Sequence, residues 1–177
     1  MAVTVVTGAG SGIGRATALR FARNGFEVVV ADINEQTGKE TVDLIQDAGG
    51  RAVFRRLDVA DLTDWEDFTD RVCAEHGVPD VVVNNAFAPY RFDPDNRVRF
   101  WETPWSAYKR QFDRAVKAAY TVCRAMLPLL QRRSGASIVN LASDLVSRPS
   151  IPYHDYTTAK AALAASTISS SVASSLP

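Results

Sequence analysis

Tyr156 and Lys160 stand four residues apart in a helical pattern, so their side chains share one helix face. A phenol in such a place can deliver a proton to the alkoxide formed in carbonyl reduction, or accept one in alcohol oxidation. A free phenol ionises at about pH 10, and lowering that by about three units requires roughly 4 kcal/mol of preferential phenolate stabilisation. A neighbouring ammonium can supply much of this, which assigns Lys160 the role of favouring the ionised phenol. Ser143 lies thirteen residues before Tyr156, just past an apolar run, where its hydroxyl could hold a carbonyl oxygen and stabilise its growing charge. The alternative reading of Tyr156 is a hydrogen-bonded structural residue. Tyr153 is a rival acid/base, but Thr157, not a lysine, follows it by four. His154 reads as a packing or surface residue, and His76, before Gly77, as a favourable charge at a helix end.

The second constellation is Thr7-Gly8-Ala9-Gly10-Ser11-Gly12-Ile13-Gly14. Its glycines permit a sharp turn and let backbone approach a pyrophosphate held at the next helix N-terminus. The context is the required one, with the β-branched run Val3, Val5 and Val6 before the turn and an Ala-rich helical stretch after it. Asp32 follows Gly14 by 18 residues, at the end of the next apolar run. Its carboxylate suits both hydroxyls of an adenosine ribose and would repel a 2′-phosphate, which favours NAD(H) over NADP(H). Ser11 agrees, because it offers no cation to a phosphate.

These residues need a frame to position them. The pattern predicts strands over 26–31 and 51–57, at 81–83 and over 137–141, with helices over 35–48, 61–75 and 105–131 and a last one from Tyr153. Regular alternation with nearly all-apolar strands implies right-handed βαβ crossovers and a doubly wound parallel sheet. Gly8, Asp32, Asp58, Asn84 and Ser143 all fall just after strands, at the edge where such sheets bind ligands.

With 46% apolar residues and 20 basic against 20 acidic side chains, the chain can bury one core and offers no electrostatic footprint for nucleic acid or an anionic membrane. A small-molecule or acyl-carrier-linked substrate fits better. Cys73 and Cys123 lack CxxC or Cys/His metal spacing, so no metal is expected and free thiols in a reducing compartment are. Without a basic leader or a bilayer-length apolar run, the expectation is a cytoplasmic protein.

The Thr7–Gly14 turn, followed by Asp58-Val59 and Asn84-Asn85-Ala86 and by the Ser143, Tyr156, Lys160 spacing, resembles the short-chain dehydrogenase/reductase family over residues 1 to about 165. The resemblance implies a Rossmann-type sheet of order 3-2-1-4-5 and an NAD(P)-dependent ketone/secondary-alcohol oxidoreductase. It assigns Ser143, Tyr156 and Lys160 to catalysis, and Thr7, Gly8, Gly10, Ser11, Gly12, Ile13, Gly14, Asp32, Asp58, Val59, Asn84 and Ala86 to the cofactor site. It also implies that Asp58 and Val59 contact adenine, that the Asn84 segment steadies the central strand, and that Lys160 bonds the nicotinamide ribose. Read without the family, Asp58 is a strand-end turn residue. A homodimer or homotetramer is a further implication, and the nearest branch is similar to 3-oxoacyl-carrier-protein reductases.

Four features depart from the family pattern. Ala115 stands where many members carry an Asn that anchors a proton-relay water, and Phe87 stands where the NNAG motif has glycine. The loop from Phe87 to Pro104 is long, aromatic and Arg-containing, and reads either as a substrate wall or as a packing lid. Finally, the family's sixth and seventh strands have no counterpart, and residues 166–177 carry six serines, as though the chain were truncated. The expectation is one domain over 1–165 with an atypical tail, a fifth strand left as a sheet edge, and low stability. The rival functional reading is a catalytically impaired dinucleotide-binding remnant.

Overall fold

The structure is a computed structural model that describes residues 1–87, 99–148 and 152–173. Residues 88–98, most of the loop from Phe87 to Pro104, and the last four residues of the tail, 174–177, therefore lie outside the described residues. In chain order the elements are β1 (Val3–Thr7), α1 (Gly12–Arg23), β2 (Glu27–Asp32), α2 (Glu35–Asp47), β3 (Arg51–Arg56), α3 (Leu62–His76) and β4 (Val81–Asn84). There follow a 3-10 turn (Phe100–Glu102), α4 (Trp105–Phe112), a π segment (Asp113–Lys117), α5 (Ala118–Leu130), β5 (Ser137–Asn140), a second 3-10 turn (Asp144–Val146) and α6 (His154–Ala173). The five strands form one sheet in the order β3-β2-β1-β4-β5, as expected. β1 pairs in parallel with β2, from Val3 opposite Glu27 to Thr7 opposite Ala31, and with β4, with Val5 opposite Val82.

Local chemistry sets the element boundaries. Asn34 caps α2 by accepting from the Thr37 N–H at 3.1 Å. Asp61 caps α3 by accepting from the N–H groups of Thr63 and Asp64, at 2.9 and 3.4 Å. Gly77, at φ 79°, closes α3 in the left-handed region that a side chain resists. The helix expected over 105–131 is in fact interrupted, because five residues around Ala115 wind as a π-helix. Nothing in the residue pattern marks that interruption, and such segments concentrate at functional sites.

The chain forms two compact units. The first comprises Met1–Ala86 and Thr121–Val139. Its core is a layer of aliphatic, aromatic and thioether side chains: Val5, Val29 and Val82 from the sheet, Trp65, Phe68 and Val72 from α3, and Val122, Met126 and Leu130 from α5. Trp65, Val5, Val29, Val82 and Val122 are fully buried, each aliphatic one contributing about 1.5–3 kcal/mol relative to exposure. Asp80 ties the N-terminal edge of the sheet together. It accepts from the Val3 N–H at 2.7 Å through one oxygen and from Arg133 Nε at 2.8 Å through the other. Burial opposes its ionisation, but these hydrogen bonds and the Arg133 charge prevail and hold its carboxyl below the usual carboxylate range. β5 is an edge strand of the sheet, with Val139 45% exposed.

The second unit takes the remaining described residues, from Phe87 to Tyr120 and from Asn140 onward. Here α6 packs against α4 and the π segment, burying Gln111, Ala115, Tyr153, Ala159 and Leu163. α6 runs on into the serine-rich stretch as far as Ala173. Among the described residues, no helix is long and apolar enough to cross a membrane.

Candidate functional site

The first unit holds the Gly-rich turn. After β1, Gly8 and Gly12 adopt φ values of 64° and 52°, which favour glycine. Gly14 is required for a different reason: a Cβ there would lie 2.1 Å from the Gly8 carbonyl oxygen and 2.5 Å from Asn85 Nδ2. The helix therefore starts pressed against the turn. Gly10 is equally confined, since its Cβ would meet Thr37 Oγ1 at 2.4 Å and Asp32 Oδ2 at 2.8 Å. Asp32 accepts from the Gly10 N–H at 2.7 Å and from the Asn34 N–H at 2.9 Å, so one carboxylate joins the end of β2 to the turn.

A network of side-chain hydrogen bonds holds this turn in place. Asn85, rather than Asn84, staples it, donating from Nδ2 to the Thr7 carbonyl at 2.8 Å and to the Gly8 carbonyl at 3.3 Å. Thr7 Oγ1 donates to the Val83 carbonyl and accepts from the N–H groups of Asn85 and Ala86. Thr41, fully buried, donates to the Ala9 carbonyl at 2.9 Å and accepts from Arg15 Nε at 3.0 Å. Arg15 also donates to the Gly10 carbonyl and pairs with Glu40. Asn85 stands inside the Asn84-Asn85-Ala86 motif but was not itself assigned to the site, and Thr41 and Arg15 were not singled out because they lie on helices whose docking only the fold reveals. Asn84 is buried at the end of β4.

Asp58 accepts from the Ala60 N–H at 3.0 Å, while its own N–H donates to Asp64 at 2.8 Å. Those contacts are what a strand-end turn requires. Val59 packs partly buried against the core of the first unit. His76, the last residue of α3, places its Nδ1 3.0 Å from Glu27 Oε1, which ties the end of α3 to the start of β2.

The second unit holds the acid–base candidates. Tyr156 and Lys160 share a face of α6, and Lys160 Nζ is 6.0 Å from the Tyr156 ring centroid. Lys160 is only 6% exposed and donates to the Leu141 carbonyl at 2.6 Å. Burial pushes its ammonium below the usual lysine range. Phe87 stands edge-on to Tyr156, with centroids 5.6 Å apart at 90°, and its ring face lies 4.7 Å from Lys160 Nζ. Ser143, in extended conformation, caps the Asp144–Val146 turn by accepting from the Leu145 N–H at 3.3 Å. His154, one turn before Thr158, contacts Phe100 edge-on at 5.4 Å and so acts in packing. Leu141 enters through its backbone carbonyl, for which no side-chain signal exists. Among the described residues, no His, Cys, Asp or Glu cluster could hold a metal.

A doubly wound parallel sheet whose first strand runs through a Gly-rich turn into a helix defines a nucleotide-binding class of fold. The short chain dehydrogenase family matches residues 2–174, and the chain belongs to that family. It is 44% identical over 158 residues to "Probable oxidoreductase EphD" of Mycobacterium tuberculosis, covering 89% of this chain and 26% of that protein. It is 30% identical over 160 residues to the 7alpha-hydroxysteroid dehydrogenase of Escherichia coli, covering 89% of this chain and 59% of that enzyme. Among solved structures, a hydroxysteroid dehydrogenase from Escherichia coli superimposes with a TM-score of 0.81 at 26% identity, covering 98% of this chain and 69% of that one. A 7 alpha-hydroxysteroid dehydrogenase complexed with NADH and 7-oxo glycochenodeoxycholic acid gives 0.80 at 28% identity, covering 93% and 62%. The chain thus spans between a quarter and three-fifths of the length of these curated relatives.

Proposed function

We propose that the chain binds NAD(H) through the Thr7–Gly14 turn and Asp32 and interconverts a ketone and a secondary alcohol, with Tyr156 as acid/base. The observation that carries this reading is the space at Gly12. It sits exposed at the start of α1 with a positive φ, and a Cβ built there meets nothing within 4 Å. The preceding cap, Ser11, makes no side-chain hydrogen bond to the helix. A helix N-terminus with room in front of it and small residues on its rim suits a pyrophosphate. Ile13 and Ile33 leave apolar side chains 67% and 57% exposed, as a bound ring system would use.

Bound NAD(H) supplies the hydride. Tyr156 moves the proton at the substrate oxygen, Lys160 favours the ionised phenol by its charge, and the Ser143 hydroxyl holds the substrate oxygen. Asp32 accepts from the ribose hydroxyls and disfavours a 2′-phosphate. Arg15, the cation on α1 nearest the turn in sequence, is already engaged by Gly10, Thr41 and Glu40. The family relationship and the hydroxysteroid dehydrogenase neighbours support a ketone substrate, and the 3-oxoacyl thioesters remain a second substrate class within the same reaction.

Fluorescence titration with both reduced cofactors tests the reading. NADH should bind at least about tenfold more tightly than NADPH, because juxtaposed like charges cost several kcal/mol when desolvated. Equal affinities, or tighter NADPH, would remove Asp32 from its assigned role, and no binding of either would remove the function.

A further inference from the structure

An ammonium has three N–H donors, and a buried one needs a partner for each direction it faces. Lys160 spends one on the Leu141 carbonyl at 2.6 Å. Its Nζ also lies over the Phe87 ring at 4.7 Å, within the range where the negative face of an aromatic ring attracts a cation. The same ring meets Tyr156 edge-on, so one side chain touches both members of the pair. Phe87 follows directly on the Asn84-Asn85-Ala86 motif, where a smaller residue would leave this side of the ammonium open.

We propose that Phe87 is a positioning residue: its ring face holds the Lys160 ammonium charged and in place beside Tyr156. This rests on the functional reading above for its catalytic consequence, but not for the contact itself. Burial favours the neutral amine, and the attraction of the ring for the cation opposes burial. Leu141 and Phe87 together fix the ammonium from two directions, which leaves its remaining donor for the Tyr156 side or for a ribose hydroxyl.

The test separates ring charge from ring volume. Phe87 is replaced in the full chain by phenylalanines of increasing fluorination, which weaken the negative ring face at nearly constant shape, and by Leu and Trp. Lys160 is then followed by pH titration of its side-chain carbon resonance in lysine-labelled protein, where only four lysines contribute signals. The midpoint should fall stepwise with fluorination, by about one unit across the series and to a similar extent in Phe87→Leu, and Phe87→Trp should retain it. A midpoint unmoved by fluorination would overturn the proposal and leave Phe87 as packing. If Phe87→Leu fails to fold, the fluorinated series still decides. The titration needs no turnover, so loss of the functional reading, seen as a parent chain that never oxidises NADH, is distinguished from loss of this one.

Discussion

Tyr156→Phe is expected to abolish measurable turnover while leaving NADH affinity and the melting temperature near those of the parent chain. The substitution removes one oxygen and keeps the ring, so the edge-on contact with Phe87 at 5.6 Å survives and α6 keeps its packing. What is lost is the proton donor and acceptor at the substrate oxygen. General acid–base catalysis contributes about a hundredfold to ten-thousandfold, which corresponds to roughly 3 to 5 kcal/mol of barrier. Initial rates followed by NADH absorbance, beside a thermal melt and a cofactor titration, separate chemistry from folding. A variant that turns over at the parent rate would move the acid/base role away from Tyr156, with Tyr153 the next phenol in the same segment to test.

Gly14→Ala is expected to damage binding rather than chemistry, and to disturb the free protein more severely than Gly12→Ala. The new methyl would sit 2.1 Å from the Gly8 oxygen and 2.5 Å from Asn85 Nδ2, so either α1 retreats or the Asn85 staple opens. Overpacking of this kind costs about 1–3 kcal/mol, and the displaced turn should lose at least about tenfold in NADH affinity. At Gly12 no atom lies within 4 Å, and the cost to the free protein is the backbone strain of φ 52°, about 1–2 kcal/mol. Urea unfolding and NADH titration of both variants give the comparison. Gly14→Ala binding NADH like the parent would mean that the turn does not hold the cofactor.

The fold was legible because its signals are periodic and redundant. Val28, Val29 and Val30 are all fully buried in β2, as an apolar run between helices in a parallel sheet requires. Asn34 and Asp61 announce their helices by residue type. The π segment was not legible, because Asp113–Lys117 reads as ordinary helix and only its hydrogen bonding differs.

The candidate site was legible where side-chain type carries the chemistry, as at Asp32, Tyr156 and Lys160. It was not legible where backbone does the work or where an element docks from afar. The Leu141 carbonyl has no residue code, and Thr41 reaches the turn from a helix more than thirty positions away. Asp58 shows the opposite case: its local hydrogen bonds match the plain reading of a turn residue, whereas its adenine contact rests on resemblance alone. Phe87 stood out as a departure from a motif, but its contact with Lys160 emerged only from the packed side chains.

Hydride transfer between NADH and a ketone is tested by following the hydrogen itself. NADH carrying deuterium on one face of the nicotinamide C4 is mixed with the chain and a ketone panel that includes a 7-oxo bile acid and a 3-oxoacyl thioester. The alcohol product is then examined by mass spectrometry. The expected result is a product with deuterium on the carbinol carbon from one labelled face and not the other, and no product with Tyr156→Phe. NADH bound tightly with no deuterium reaching any ketone would contradict it and identify the chain as a binding module without the reaction.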